Sequence, residues 1–256
     1  AAELAERLVD ALVPVNPEAR RNVNAQRAEE IARTRATYLA VAGSAFLSVN
    51  DVFRARPFFA RALKITPKSP ALLTLQGTAD EVDGAMLNPD DVESPLLKKR
   101  AAVDRTQFLL HAETLYRQAL EIDPDYALAQ IRLGRVQFHL RKLKQAGEWL
   151  AKGNAAAKDP THRYLAAMFT GALLQEQKDL AGARAAFEQA LTLSPRSQSA
   201  IVALAYVELI SGRPDRAQSL ARGYVGTPNS DDGWWAYKNG TLDNAGLQWM
   251  RRRVRK

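Results

Sequence analysis

The chain has no cysteine. Disulfides, thiolate nucleophiles and cysteine-bound zinc or iron–sulfur centres are therefore excluded. The absence suits cytoplasm and periplasm equally. Histidine is scarce: His111, His139 and His162 stand 28 and 23 residues apart, with no spacing that would pair two ligands on one helix face. Each is read as a structural or surface residue. The sequence holds no G-x-S-x-G, no H-E-x-x-H and no phosphate-binding glycine loop. No apolar run reaches the ~18 residues that a membrane span needs; the most apolar stretch, YLAVAGSAFLSV at residues 38–49, is too short. These absences predict a chain without catalytic chemistry, metal or cofactor.

What is present is the balance of a soluble globular protein. Of 256 residues, 46% are hydrophobic and 25% charged, enough for a continuous core. The net charge of +8 is unevenly spread. The last six residues, RRRVRK, place five bases together: Arg251, Arg252, Arg253, Arg255 and Lys256. Residues 80–93 hold six acids and no base. The high isoelectric point thus describes a near-balanced body with a basic tail. The chain begins at Ala1 without Met, which a removed signal peptide would explain. The compartment expected is the periplasm, with the cytoplasm as alternative.

A pattern recurs along the chain. Ala112, Tyr116, Ala119 and Pro124 have the same offsets as Ala55, Phe59, Ala62 and Pro67, and as Ala183, Phe187, Ala190 and Pro195. Weaker copies lie at Ala146, Leu150, Gly153 and Pro160, and at Ala217, Ala221 and Pro228. Small residues mark the other half of each unit: Gly43, Gly77, Gly134, Gly171 and Ala205. Gly43 to Gly77 is 34 residues, and Pro160 to Pro195 is 35. Pro67 to Pro124 is 57, one period with 23 residues inserted. Periods near 34 in a helix-rich chain indicate stacked helical hairpins. Alanine, aromatic and alanine at these offsets share one helix face. Small residues let two helices cross closely, the aromatic is expected to fill the wedge between neighbouring hairpins, and proline ends each unit.

The motif resembles the tetratricopeptide repeat, from about Ala36 to Val225, as five hairpins. Two departures stand out: the tryptophan usual in the first helix is absent throughout, and Tyr224 takes a place where alanine is usual. The resemblance implies an all-α fold, a right-handed α-solenoid of stacked antiparallel hairpins. Residues 1–35 are expected to be N-terminal helices capping the array, with an N-cap signal at Asn16-Pro17-Glu18. Residues 36–228 would form the solenoid, with an acidic insertion at about 80–103. Residues 229–256 would be an aromatic cap (Trp234, Trp235, Trp249) and the basic tail.

In the resembled family the first helix of each hairpin lines a concave groove. Repeat phase then assigns Leu128, Ile131, Arg132, Arg135 and Phe138 to that wall in hairpin three. Hairpin four adds Met168, Ala172 and Gln175, and hairpin five adds Val202, Tyr206 and Leu209. This wall suits an extended or helical peptide with apolar anchors. One family variant grips a C-terminal carboxylate through Lys and Asn; Ala40 and Ser44 stand at the matching places, so that mode is not expected. The function expected is a non-catalytic scaffold or adaptor for a protein or peptide partner, within a larger bacterial assembly. The second reading is a binder of anionic surfaces through the basic tail; nucleic acid is not the expected partner, because no base-stacking aromatics accompany it.

Overall fold

The computed structural model describes residues 25–48 and 50–224. The expected N-terminal cap residues 1–24, the aromatic cap and the basic tail at 251–256 lie outside them. Among the described residues there are ten α-helices and no strand. They are α1 (Ala25–Ser48), α2 (Val52–Ile65), α3 (Pro70–Met86), α4 (Pro95–Ile122), α5 (Ala127–His139), α6 (Leu143–Ala156), α7 (Pro160–Glu176), α8 (Leu180–Leu193), α9 (Gln198–Ile210) and α10 (Pro214–Tyr224). Consecutive helices pack as five hairpins, α1/α2 through α9/α10. The fold is the α-solenoid class that the repeat implies. The chain divides into two compact units, residues 1–124 and 125–256. The first holds two described hairpins and the second three.

The hairpin seam follows from side-chain size. Gly43 in α1 faces the Phe59 ring of α2; a methyl group placed there would sit 2.6 Å from Phe59 Cε1. Gly171 in α7 faces Phe187 of α8 in the same way, at 2.5 Å. Gly77 faces Tyr116, and Gly134 faces Leu150. In three of these pairs the large residue comes 16 positions after the glycine; for Tyr116 it comes 39 after, longer by the 23-residue insertion. The aromatic therefore closes first on the glycine of its own hairpin. Phe59 also shares a core cluster with Ala79 and Val82 of α3, so it reaches the next hairpin as expected.

The turn inside a hairpin has its own rule. Asn50, Arg141, Lys178 and Gly212 all have φ between 61° and 76°. Each stands seven residues after the small residue of its first helix. The following amide then bonds back across the helix end: Asp51 to Phe46, Lys142 to Gln137, Asp179 to Leu174, and Arg213 to Glu208, all at 2.8–2.9 Å. This is the left-handed closure that ends helices and satisfies their last carbonyls. The opposite ends are capped by side chains. Asp159 accepts from the Thr161 amide at 2.7 Å, which holds its carboxyl below the ordinary value. Ser197 accepts from the Ala200 amide.

The insertion belongs mostly to helix. Helix α3 continues to Met86, a 3-10 turn covers Pro89–Asp91, and α4 runs 28 residues from Pro95. The six acids of residues 80–93 are consequently split. Asp80 and Glu81 are buried in α3, while Asp90, Asp91 and Glu93 occupy the connection. Among the described residues no helix is long and apolar enough to cross a membrane.

Candidate functional site

The groove assignment falls wholly in the second unit, on α5, α7 and α9. Repeat phase puts Ile131, Met168 and Val202 at one level, three residues before the small residue. Arg135, Ala172 and Tyr206 stand one residue after it, and Phe138, Gln175 and Leu209 four after. Helices α5 and α7 touch directly.

The three levels differ in exposure. Ile131 is fully buried and Met168 nearly so. Ile131 turns into the hairpin seam, where a methyl group on Gly153 would lie 2.5 Å from its Cγ1. Val202, at the same phase, is only half-buried. Arg132 and Arg135 are also buried. The Arg135 guanidinium lies 4.6 Å above the Phe169 ring of α7, an arrangement in which the ring face offsets part of the cost of burying the cation. Phe138 is half-buried, with its ring 5.4 Å from that of His139 at an edge-on angle. Leu128, Ala172, Gln175, Tyr206 and Leu209 are half-buried too. Leu128 and Phe138 pack partly against the main core of this unit. The face is thus a closed floor of Ile131, Arg132, Arg135 and Met168, with Leu128, Phe138, Gln175, Val202, Tyr206 and Leu209 partly open.

The charged residues that the structure brings together lie elsewhere, and sequence reasoning did not pick them out. Arg56 of α2 grips Asp80 of α3 through Nε and a terminal nitrogen, at 3.1 and 2.6 Å, and reaches Asp83 at 2.7 Å. Burial raises the Asp83 carboxyl above its ordinary value, against the pull of Arg56. His111 of α4 meets the other Asp80 oxygen at 2.7 Å. In the second unit, Glu208 of α9 is fully buried and meets Arg184 of α8 at 3.0 Å, Arg216 of α10 at 3.3 Å, and Arg213. The signal was present: Arg56 and Arg184 each follow the first alanine of their motif, and Asp80 and Glu208 each stand three residues past the small residue of the next hairpin. Among the described residues no three His, Asp or Glu side chains are placed to hold a metal ion.

A family model described as "Tetratricopeptide repeat" matches residues 111–168 and 174–236. Over these residues, just under half of the chain, the sequence is made of tetratricopeptide repeats. Its fold is like that of several solved structures. PilF of Pseudomonas aeruginosa is 15% identical, over 89% of this chain and 86% of that one, with a TM-score of 0.57. A thermophilic tetratricopeptide-repeat protein of Thermus thermophilus is 16% identical, over 86% and 100%, with a TM-score of 0.60. PilW, described as a widely conserved type IV pilus biogenesis factor, is 18% identical, over 86% and 91%, with a TM-score of 0.58. At such identities the likeness is one of fold. No curated protein matches the sequence. Tetratricopeptide repeats are protein-interaction modules, and this chain is a repeat scaffold of that class.

Proposed function

We propose that the chain is a non-catalytic adaptor that holds a protein partner on the first-helix face of its second unit, as a subunit of a larger bacterial assembly. The observation that carries this reading is the half-buried row of Phe138, Gln175 and Leu209 at one repeat phase on three helices, with Val202 and Tyr206 half-buried beside it on α9. Side chains left partly open above a closed floor offer apolar anchor points with few polar ones. Such a surface fits an extended or helical peptide segment better than a small polar ligand. The fold likeness to PilF and PilW, the latter a pilus biogenesis factor, supports an envelope assembly and a periplasmic setting.

The test is partner recovery from native cells by affinity capture. Phe138→Gln with Leu209→Gln should abolish recovery of a partner that the parent chain retains, while the helical circular dichroism signal is unchanged. Arg135 is unsuitable for this purpose, because it is buried against Phe169. Undiminished recovery by the folded double variant would overturn the reading.

A further inference from the structure

A groove lies at the joint between hairpins four and five, walled mainly by their second helices, α8 and α10. Its volume is about 500 Å³. Leu191 of α8, Pro195 of the connecting turn, Ile201 of α9 and Leu220 of α10 line it. The three aliphatic side chains are half-buried. Leu191 and Leu220 also pack partly against the main core of the second unit, so the groove is an open edge of that core. The preceding joint is built differently. Repeat phase puts Asn154, Ala167 and Ala186 where Leu191, Ile201 and Leu220 stand, and both alanines are buried. Large apolar side chains are gathered at the last joint.

Its edges carry hydrogen-bond acceptors. Thr192 donates its hydroxyl proton to the Glu188 carbonyl at 3.1 Å, which leaves the hydroxyl oxygen to accept. The Glu188 carboxylate takes Arg216 at 3.0 Å, and Ser219 stands on the α10 wall. An apolar slot edged with acceptors suits an aromatic side chain with a single N–H donor, which is tryptophan. Arg196 adjoins Pro195, and Arg222 lies one turn past Ser219 on α10.

The chain itself brings such a side chain within reach. Helix α10 ends at Tyr224, four residues past Leu220. Trp234 and Trp235 follow ten and eleven residues later, on a tether of up to about 33 Å. The tether includes GTPNSDDG at residues 226–233, residue types that reverse a chain. Asp231 and Asp232, just before the tryptophans, are opposite in sign to Arg196 and Arg222. We propose that the Trp234-Trp235 pair folds back and seats an indole in this groove, closing the open core edge at the end of the array. Tethering favours this occupant, because a group carried on the same chain is present at roughly millimolar effective concentration. Thr192, Pro195 and Ser219 are exposed, so the groove does not enclose a free small molecule as a ligand pocket does. The contact is separate from the first-helix face of the second unit, so either can fail while the other stands.

The chain has no cysteine, so an engineered pair reports proximity without background. Ser219→Cys with Ala236→Cys should form a disulfide within the native full chain and not in urea, read by non-reducing electrophoresis and mass spectrometry. Ala185 has the phase of Ser219 one hairpin earlier; Ala185→Cys with Ala236→Cys should give roughly tenfold less. Ser219 and Ala185 are both exposed, so folding should be unaffected, as circular dichroism would check. The second measurement uses Trp149→Phe with Trp249→Phe, which leaves the pair as the sole tryptophans. Acrylamide should quench them roughly threefold less than in the same chain with Thr192→Arg and Ser219→Arg, which fill the groove from exposed positions. No disulfide at Ser219, equal yield at the two sites, or quenching unchanged by filling the groove would overturn the proposal. So would a disulfide between chains in place of one within a chain, which would give the groove to a second copy.

Discussion

Arg184 Nε donates to Glu208 Oε1 at 3.0 Å, joining the second helix of hairpin four to the first helix of hairpin five. Arg56 and Asp80 stand in the same relation in the first unit, and both pairs are separated by 24 residues. The same slots in the α6/α7 seam hold Gly147 and Leu174, and there the Gly147 backbone approaches the Leu173 side chain. Within the two units, consecutive hairpins are thus joined in two ways: by a charge clamp or by close apolar contact.

Glu208 is fully buried among three arginines that are themselves partly exposed. Removing one member of a buried ion pair strands the rest at a cost of several kcal/mol. Glu208→Gln should destabilise the chain by about 2 to 3 kcal/mol, below a fully buried pair because water reaches Arg213 and Arg216. Urea unfolding would measure it. Arg184→Leu should cost less, since two arginines still face the carboxylate.

Two glycine substitutions should diverge. A methyl group on Gly171 would meet the Phe187 ring at 2.5 to 2.7 Å on three carbons. Gly171→Ala should cost roughly 1 to 3 kcal/mol, the range for overpacking. On Gly147 the nearest atom is Leu173 Cδ2 at 3.4 Å, an ordinary contact. Gly147→Ala should leave stability unchanged or raise it by up to about 1 kcal/mol, the helix-propensity difference. Thermal unfolding of both variants checks the contrast.

Lys178 holds φ at 66° in the α7/α8 turn. A residue with a Cβ is strained there by about 1 kcal/mol, whereas glycine is not. Glycine also gives the unfolded chain more freedom, which offsets part of the gain. Lys178→Gly should therefore raise stability by roughly 0.5 kcal/mol. Lys178→Val should lower it, because a β-branched residue suits this conformation least. Melting temperatures of the pair give the sign.

The five hairpins and the prolines that end their units were legible from residue offsets, because crossing distance and helix ends depend on side-chain size and on proline within a few turns. The acidic run was only partly legible. Composition marked residues 80–93 as one acidic stretch, yet Asp80 sits beneath Arg56 and His111, and Glu81 accepts from the Tyr116 hydroxyl at 2.7 Å. Charge count along a chain does not say which carboxylates find a buried partner.

By itself, the sequence determined the repeat, its period and the small residues where helices cross, since close crossing depends on side-chain size; that Phe59 and Phe187 close on Gly43 and Gly171 of their own hairpins emerged from the structure. Only the tertiary structure decided which equivalent positions stay open. Ile131 and Val202 share one phase of the repeat, but Ile131 is sealed into the seam at Gly153 while Val202 is half-buried. Repeat phase fixes only the direction of a side chain from its own helix; exposure depends on what the neighbouring helix places against it.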